Sequence, residues 1–190
     1  MKPSLLRAGV SGLAAVALLC AGCASTPPAA KFATSAGPHT TIRSADTANV
    51  AVSASSGVSM ADFEKARVGE RIRMKLAEKQ ALNAALADPA QYQVEVTITR
   101  YDKGSAFARA MLAGLGQIHI DGTISLYAQP AHAALEEFTV QKTFAWGGIY
   151  GASTTMEDIE QTFAEGIANA LTGQTEGKQG ATTTNAAAAR

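Results

Sequence analysis

Alternation of apolar and polar residues marks the clearest elements of the chain. Residues 92–101 place Tyr92, Val94, Val96 and Ile98 on one face and Gln93, Glu95, Thr97 and Thr99 on the other. A period of two with one wet face predicts a strand in an antiparallel or mixed sheet. Residues 117–127 alternate in the same way, with Ile118, Ile120, Ile124 and Leu126 inward and His119, Asp121, Thr123 and Ser125 outward. Residues 135–146 read as a further strand carrying Phe138, Val140 and Phe144 on one face. These two strands are expected to pair as a hairpin across the loop that contains Pro130. A shorter alternation over residues 48–53 predicts a first strand.

Elsewhere the apolar period changes to that of a helix. Val68, Ile72 and Leu76 recur every four residues, and Leu86 extends the stripe until Asp88-Pro89 ends it. Ser59 is the expected N-cap. A second stripe, Ile159, Phe163, Ile167 and Ala170, follows Thr154-Thr155-Met156-Glu157, which matches a capping box. Residues 106–116 hold Phe107, Met111 and Leu115 at helical spacing between glycines. They read either as a docking flap with Arg109 as its polar tip or as a covering loop that fills the core. Residues 147–151 are Gly-rich and predict a loop. The economical arrangement is an α+β two-layer sandwich over residues 47–172, with an approximately four-stranded sheet and two helices packed on one face.

The N-terminal segment changes the picture from fold to address. Lys2 and Arg7 precede an apolar run over residues 8–19, shorter than the roughly 20 residues that span a bilayer. Small Ala21 and Gly22 then precede Cys23. Residues 1–22 therefore read as a signal peptide. The segment resembles a lipobox, which implies a lipid on the Cys23 thiol and cleavage before it. It departs from the usual pattern in having Cys20 where leucine is common, with Leu19 one position further out. An ordinary cleaved leader is the alternative. By similarity to lipoproteins of diderm bacteria, Ala24 and Ser25 imply the outer membrane, lipid-anchored and periplasm-facing. Residues 23–46 are rich in Ala, Ser, Thr and Pro and are expected to be a flexible tether; residues 173–190 read as a disordered tail.

Charge and cysteine content exclude several classes. Sixteen basic residues balance sixteen acidic ones. Such a chain has no concentrated basic footprint for nucleic acid. Both cysteines lie at or before Cys23, so no disulfide framework is expected in the domain. Arg67, Arg71, Lys75 and Lys79 form a basic row beside the first apolar stripe. The row reads as a solvated flank compensated by Glu64, Glu70 and Glu78, rather than as a site for an acidic partner.

Candidate chemistry is sparse. The sequence shows no nucleophile elbow, phosphate loop or metal-spaced His/Cys cluster, and neither a cofactor nor a catalytic residue is expected. His119 and Asp121 share the wet face of one strand, which leaves a metal-dependent hydrolase as a minor reading. Trp146 and Tyr150 flank the Gly-rich corner and can stack on a sugar or a peptide, or close a packed corner.

The run of residues 109–116, the strand after it and the closing strand-then-helix together resemble the bacterial lipoprotein family known as domain of unknown function 4410. The resemblance covers roughly residues 48–171 and implies no reaction and no catalytic residues. The expectation is a non-enzymatic, membrane-anchored binding or assembly module with an envelope protein as its partner. Its candidate binding residues are Arg109, Met111, Trp146 and Tyr150. Peptidoglycan or polysaccharide binding is the alternative.

Overall fold

The computed structural model describes residues 27–33, 39–112 and 115–174. The expected signal peptide, Cys23 and the tail beyond residue 174 lie outside the described residues. One mixed sheet has the strand order β1-β5-β4-β3-β2. In chain order the elements are β1 (Ala30–Phe32), β2 (Thr47–Ala54), α1 (Asp62–Gln80), β3 (Gln91–Asp102), α2 (Ala106–Met111), β4 (Ile118–Ala128), β5 (Ala133–Phe144), α3 (Gly148–Ser153) and α4 (Met156–Thr172).

The alternating strands pair as their patterns require. β3, β4 and β5 form an antiparallel meander, with Val96 opposite Ile124 and Ile124 opposite Phe138. β2 lies parallel to β3, with Val50 beside Val94, and α1 supplies the crossover that a parallel pair needs. The inward residues Val94, Val96, Ile98, Ile118, Ile120, Ile124, Leu126, Phe138, Val140 and Phe144 are all at most 4% exposed. They form one core with Val68, Ile72 and Leu76 of α1 and Ile159, Phe163 and Ile167 of α4. Gly122 takes an inward position on β4; a Cβ there would come 3.0 Å from Phe163 Cζ, so the glycine makes room for that ring.

The structure corrects several sequence expectations. The sheet has five strands rather than four, and two short helices accompany the two long ones. β1 lies within the segment read as tether and pairs antiparallel with β5, Phe32 opposite Phe138. Ile42 from the same segment is fully buried. α1 ends at Gln80, well before Pro89, and Leu86 is exposed. The Asn83 amide just past its end donates to Ile42 O at 2.9 Å and Thr172 O at 3.0 Å, tying that turn to the chain on either side of the domain. Ser59 does not cap α1: Ala61 is the N-cap, and the Glu64 carboxylate accepts from its N–H at 2.9 Å. The capping box of α4 is shifted by one residue. Thr155 Oγ1 accepts from Asp158 N, and Asp158 accepts from Thr155 N at 2.9 Å. Thr154 instead donates to Tyr150 O at 3.0 Å.

Candidate functional site

The site is assembled at the end of the domain where β5 runs out. The last inward residue of β5 is Phe144, and the chain leaves the sheet at Ala145 and Trp146. It then folds back into α3, which the sequence reads as a loop. Gly151 permits this return, because a Cβ there would lie 2.1 Å from Trp146 O. α3 in turn packs against α2, and one side chain locks the two together.

That side chain is Arg109. It is 3% exposed, not the polar tip expected from the sequence. Its Nε donates to Gly151 O at 2.8 Å, Nη1 to Gly116 O at 2.6 Å and Nη2 to Thr154 O at 3.0 Å. The planar guanidinium thus ties α2, the turn before β4, α3 and the start of α4 to one point. Burial draws its pKa below the usual arginine range. Arg109 is therefore a positioning residue, while Met111 on the same helix is exposed.

Between α3, the start of α4 and β5 lies an open groove of about 690 Å³. Trp146 and Tyr150 stand on it with ring centroids 6.2 Å apart at 85°, an edge-to-face pair. Trp146 is 45% exposed and Tyr150 65%, so the aromatic faces are open to a ligand. Phe144 supports Tyr150 from below at 5.9 Å. The polar part of the wall comes from Lys142, Ser153, Asp158 and Thr162. Sequence reasoning missed Lys142, which occupies an inward position on β5 between Val140 and Phe144 and is buried. Its signal was available, since a lysine interrupts an apolar face at a position that the alternation turns inward.

Three of the four residues of the basic row on α1, Arg67, Arg71 and Lys79, form the seam with α4, whereas Lys75 pairs with Glu78 of its own helix at 2.8 Å, as the compensated flank requires. Glu160 of α4 is fully buried. Arg67 grips it as a fork, Nε to Oε2 at 2.8 Å and Nη2 to Oε1 at 2.7 Å. Tyr101 Oη of β3 donates to Oε1 at 2.6 Å. Arg71 Nε lies 3.2 Å from Oε2, within ion-pair reach but misaligned for a hydrogen bond. Further along, Lys79 is buried and meets Glu165 at 3.2 Å. Burial, then the bond to Glu160, push the Tyr101 phenol well above its ordinary pKa.

His119 and Asp121 lie on the open face of β4, as their alternation requires. His119 Nδ1 meets Thr143 Oγ1 at 3.0 Å, and its register partner on β3 is Asp102, while Asp121 faces Arg100. Burial and then Arg100 lower the His119 pKa; burial raises that of Asp121. Among the described residues, no three His, Cys, Asp or Glu side chains come together as a metal-ligand set. No helix among them is long and apolar enough to cross a membrane.

A sheet with two long helices on one face, closed at one end by an arginine-pinned helical corner, defines a two-layer domain of mixed α and β structure. The chain belongs to the family described as a domain of unknown function (DUF4410), whose model matches residues 38–148. No curated protein matches it by sequence. Among solved structures it is similar to a variant PelC dodecamer from Paraburkholderia phytofirmans, at 11% identity and a TM-score of 0.52, covering 78% of this chain and 98% of that one. A second PelC dodecamer from the same organism gives 13% identity and a TM-score of 0.50, covering 75% and 98%. A candidate lipoprotein from Caulobacter crescentus CB15 gives 15% identity and a TM-score of 0.38, covering 65% and 84%. The PelC likeness is one of fold.

Proposed function

We propose that this chain is an outer-membrane lipoprotein, acylated at Cys23 and facing the periplasm, whose domain is a non-catalytic binding or assembly module of the cell envelope. It acts without cofactor or nucleic acid. The observation that carries the binding role is the open groove with the half-exposed Trp146–Tyr150 pair on its wall. Most large aromatic rings in a domain this size are spent on the core, whereas these two are held in fixed mutual geometry at a surface opening. The leader ending at Cys23 supports the address, and likeness to PelC, a protein that forms a dodecamer, supports the assembly role.

The test is a photoreactive phenylalanine analogue at Tyr150 in the anchored protein. Irradiated cells are expected to yield a discrete adduct with one envelope component, and Trp146→Ala to abolish it. A smear of bulk neighbours that persists in Trp146→Ala would reject the groove as the binding site.

A second reading, binding of peptidoglycan or another polysaccharide, is favoured by the same ring pair beside hydroxyl and charged groups. It has a direct readout, because Trp146 is the only tryptophan in the chain. Soluble glycan strands are expected to shift the intrinsic fluorescence saturably, with the response lost in Tyr150→Ala. An emission spectrum that stays flat across the titration rejects this reading.

A further inference from the structure

We propose that the α2–α3 corner is a second membrane-contact site, a platform that seats the domain directly on the lipid surface. The inference rests on the anchored-lipoprotein reading and specifies how the anchored domain is oriented. Seven of the twelve large apolar or aromatic side chains that are exposed among the described residues belong to this corner. Ile149 is 92% exposed, Phe107 77% and Met111 67%, with Leu112, Leu115 and Tyr150 beside them. A cluster of this kind marks an interaction surface rather than the usual scatter of surface apolar residues.

Its charge pattern selects the partner. From Gly104 to Gln117 and from Thr143 to Met156 there is no acidic side chain, and Arg109 is the single basic one. Arg109 is buried, with its donors spent on three backbone carbonyls. These two segments therefore offer apolar and interfacial aromatic groups with no exposed charge of their own, and exposed Lys103 and Asp158 stand only at their flanks. That is the chemistry of a surface that enters the headgroup–acyl boundary, where tryptophan and tyrosine are favoured.

The length of chain between the domain and the anchor points the same way. The described chain is already docked at Pro28, whose carbonyl and ring lie against Gly166 of α4. Only four residue steps separate Cys23 from Pro27, a reach of at most about 14 Å even when fully extended. The leash is thus far shorter than a tether over residues 23–46 implies. It holds the folded domain beside the bilayer, where an exposed apolar corner meets lipid at high effective concentration. The acyl group and the platform then act as two membrane signals on one domain.

The experiment uses the mature chain, residues 23–190, made with Cys23→Ser so that no acyl group is present. It is sedimented with vesicles of phosphatidylethanolamine and phosphatidylglycerol. Measurable binding is expected that changes little with salt, because no exposed basic patch drives it. The double substitution Phe107→Ser, Ile149→Ser is expected to weaken partitioning by about tenfold or more. Both residues are exposed, so the melting temperature should be unchanged, which separates lost contact from lost fold. Absence of vesicle binding overturns the proposal, as does equal binding by the double variant. Self-association without vesicles that the same substitutions abolish also overturns it, assigning the corner to a second copy of the chain. Acylation at Cys23 is measured separately, by the mass of the processed N-terminus, so that the platform and the anchor can fail independently.

Discussion

Glu160→Ala is expected to destabilise the domain by about 3–5 kcal/mol, the range for removing one partner of a buried ion pair. For a domain of this size that is a fall in melting temperature of roughly 10–20 °C. The magnitude follows from what the substitution strands. Arg67 and Tyr101 both direct hydrogen bonds at Oε1 of Glu160, and Arg67 and Arg71 both approach Oε2. Alanine leaves two neighbouring guanidinium groups of α1 side by side at the α1–α4 seam without their shared carboxylate, with the Tyr101 hydroxyl beside them. Glu160→Gln keeps the shape and one acceptor oxygen, which can still receive Arg67 Nη2 and Tyr101 Oη, but removes the charge and the second acceptor, so its loss should be smaller than that of alanine. Thermal unfolding of the three proteins checks the order. A Glu160→Ala melting temperature equal to that of the parent would show that the seam is solvated in solution.

Arg109→Ala is expected to have a large local effect and a smaller global one. Three backbone carbonyls, on Gly116, Gly151 and Thr154, lose the guanidinium at once, and that of Gly116 keeps the Ser105 N–H at 3.2 Å. A buried acceptor left unpaired costs about 1–3 kcal/mol, and water can re-solvate some of these at the rim, so the total is expected near 2–4 kcal/mol. The affected segments are α2 and α3, which the guanidinium joins. Hydrogen exchange is the decisive measurement. Amides of residues 106–112 and 148–154 should lose protection, while those of β3, β4 and β5 keep theirs. Arg109→Lys is expected to rescue little, because one ammonium cannot fork to three separated carbonyls. If protection at the corner is unchanged in Arg109→Ala, the helices hold together by packing alone and Arg109 is not what positions them.

Both results bear on the proposed function. The Glu160 seam sets how α1 and α4 lie on the sheet. The Arg109 clamp sets how the groove wall and the apolar corner are presented. A loss of groove binding in Arg109→Ala would therefore report lost positioning, whereas the same loss in Trp146→Ala would report lost contact.

The strands that carry most of the core were legible because their information is local. In β3 and β4 the alternation itself assigns Val94, Val96, Ile118 and Ile120 to one side and Gln93, Glu95, His119 and Asp121 to the other. β1 was not legible, since three residues, Ala-Lys-Phe, are too few to show a period and their pairing depends on an open edge supplied by β5 more than a hundred residues later. α3 was hidden for a related reason. Gly147, Gly148 and Gly151 read as a loop, and the helix is stabilised from outside by Arg109. Of the candidate binding residues, Trp146 and Tyr150 meet on the groove wall, Met111 is exposed on the neighbouring helix, and Arg109 is withdrawn into the interior.

By itself the sequence determined which residues alternate, which recur every four positions and where the breaks fall, and so the order of the main strands and the two long helices. It also carries the pattern, over residues 1–22 and before Cys23, from which a lipoprotein leader is proposed. The tertiary structure alone decided which charged groups are buried and with whom. The row Arg67, Arg71, Lys75 and Lys79 has the same spacing whether it faces water or Glu160 and Glu165. Periodicity defines a face but not what lies opposite it, and the free energy of a buried charge depends on that partner. The same holds for Arg109: a lone arginine on a short apolar helix is a polar tip until the carbonyls of Gly116, Gly151 and Thr154 are brought to it.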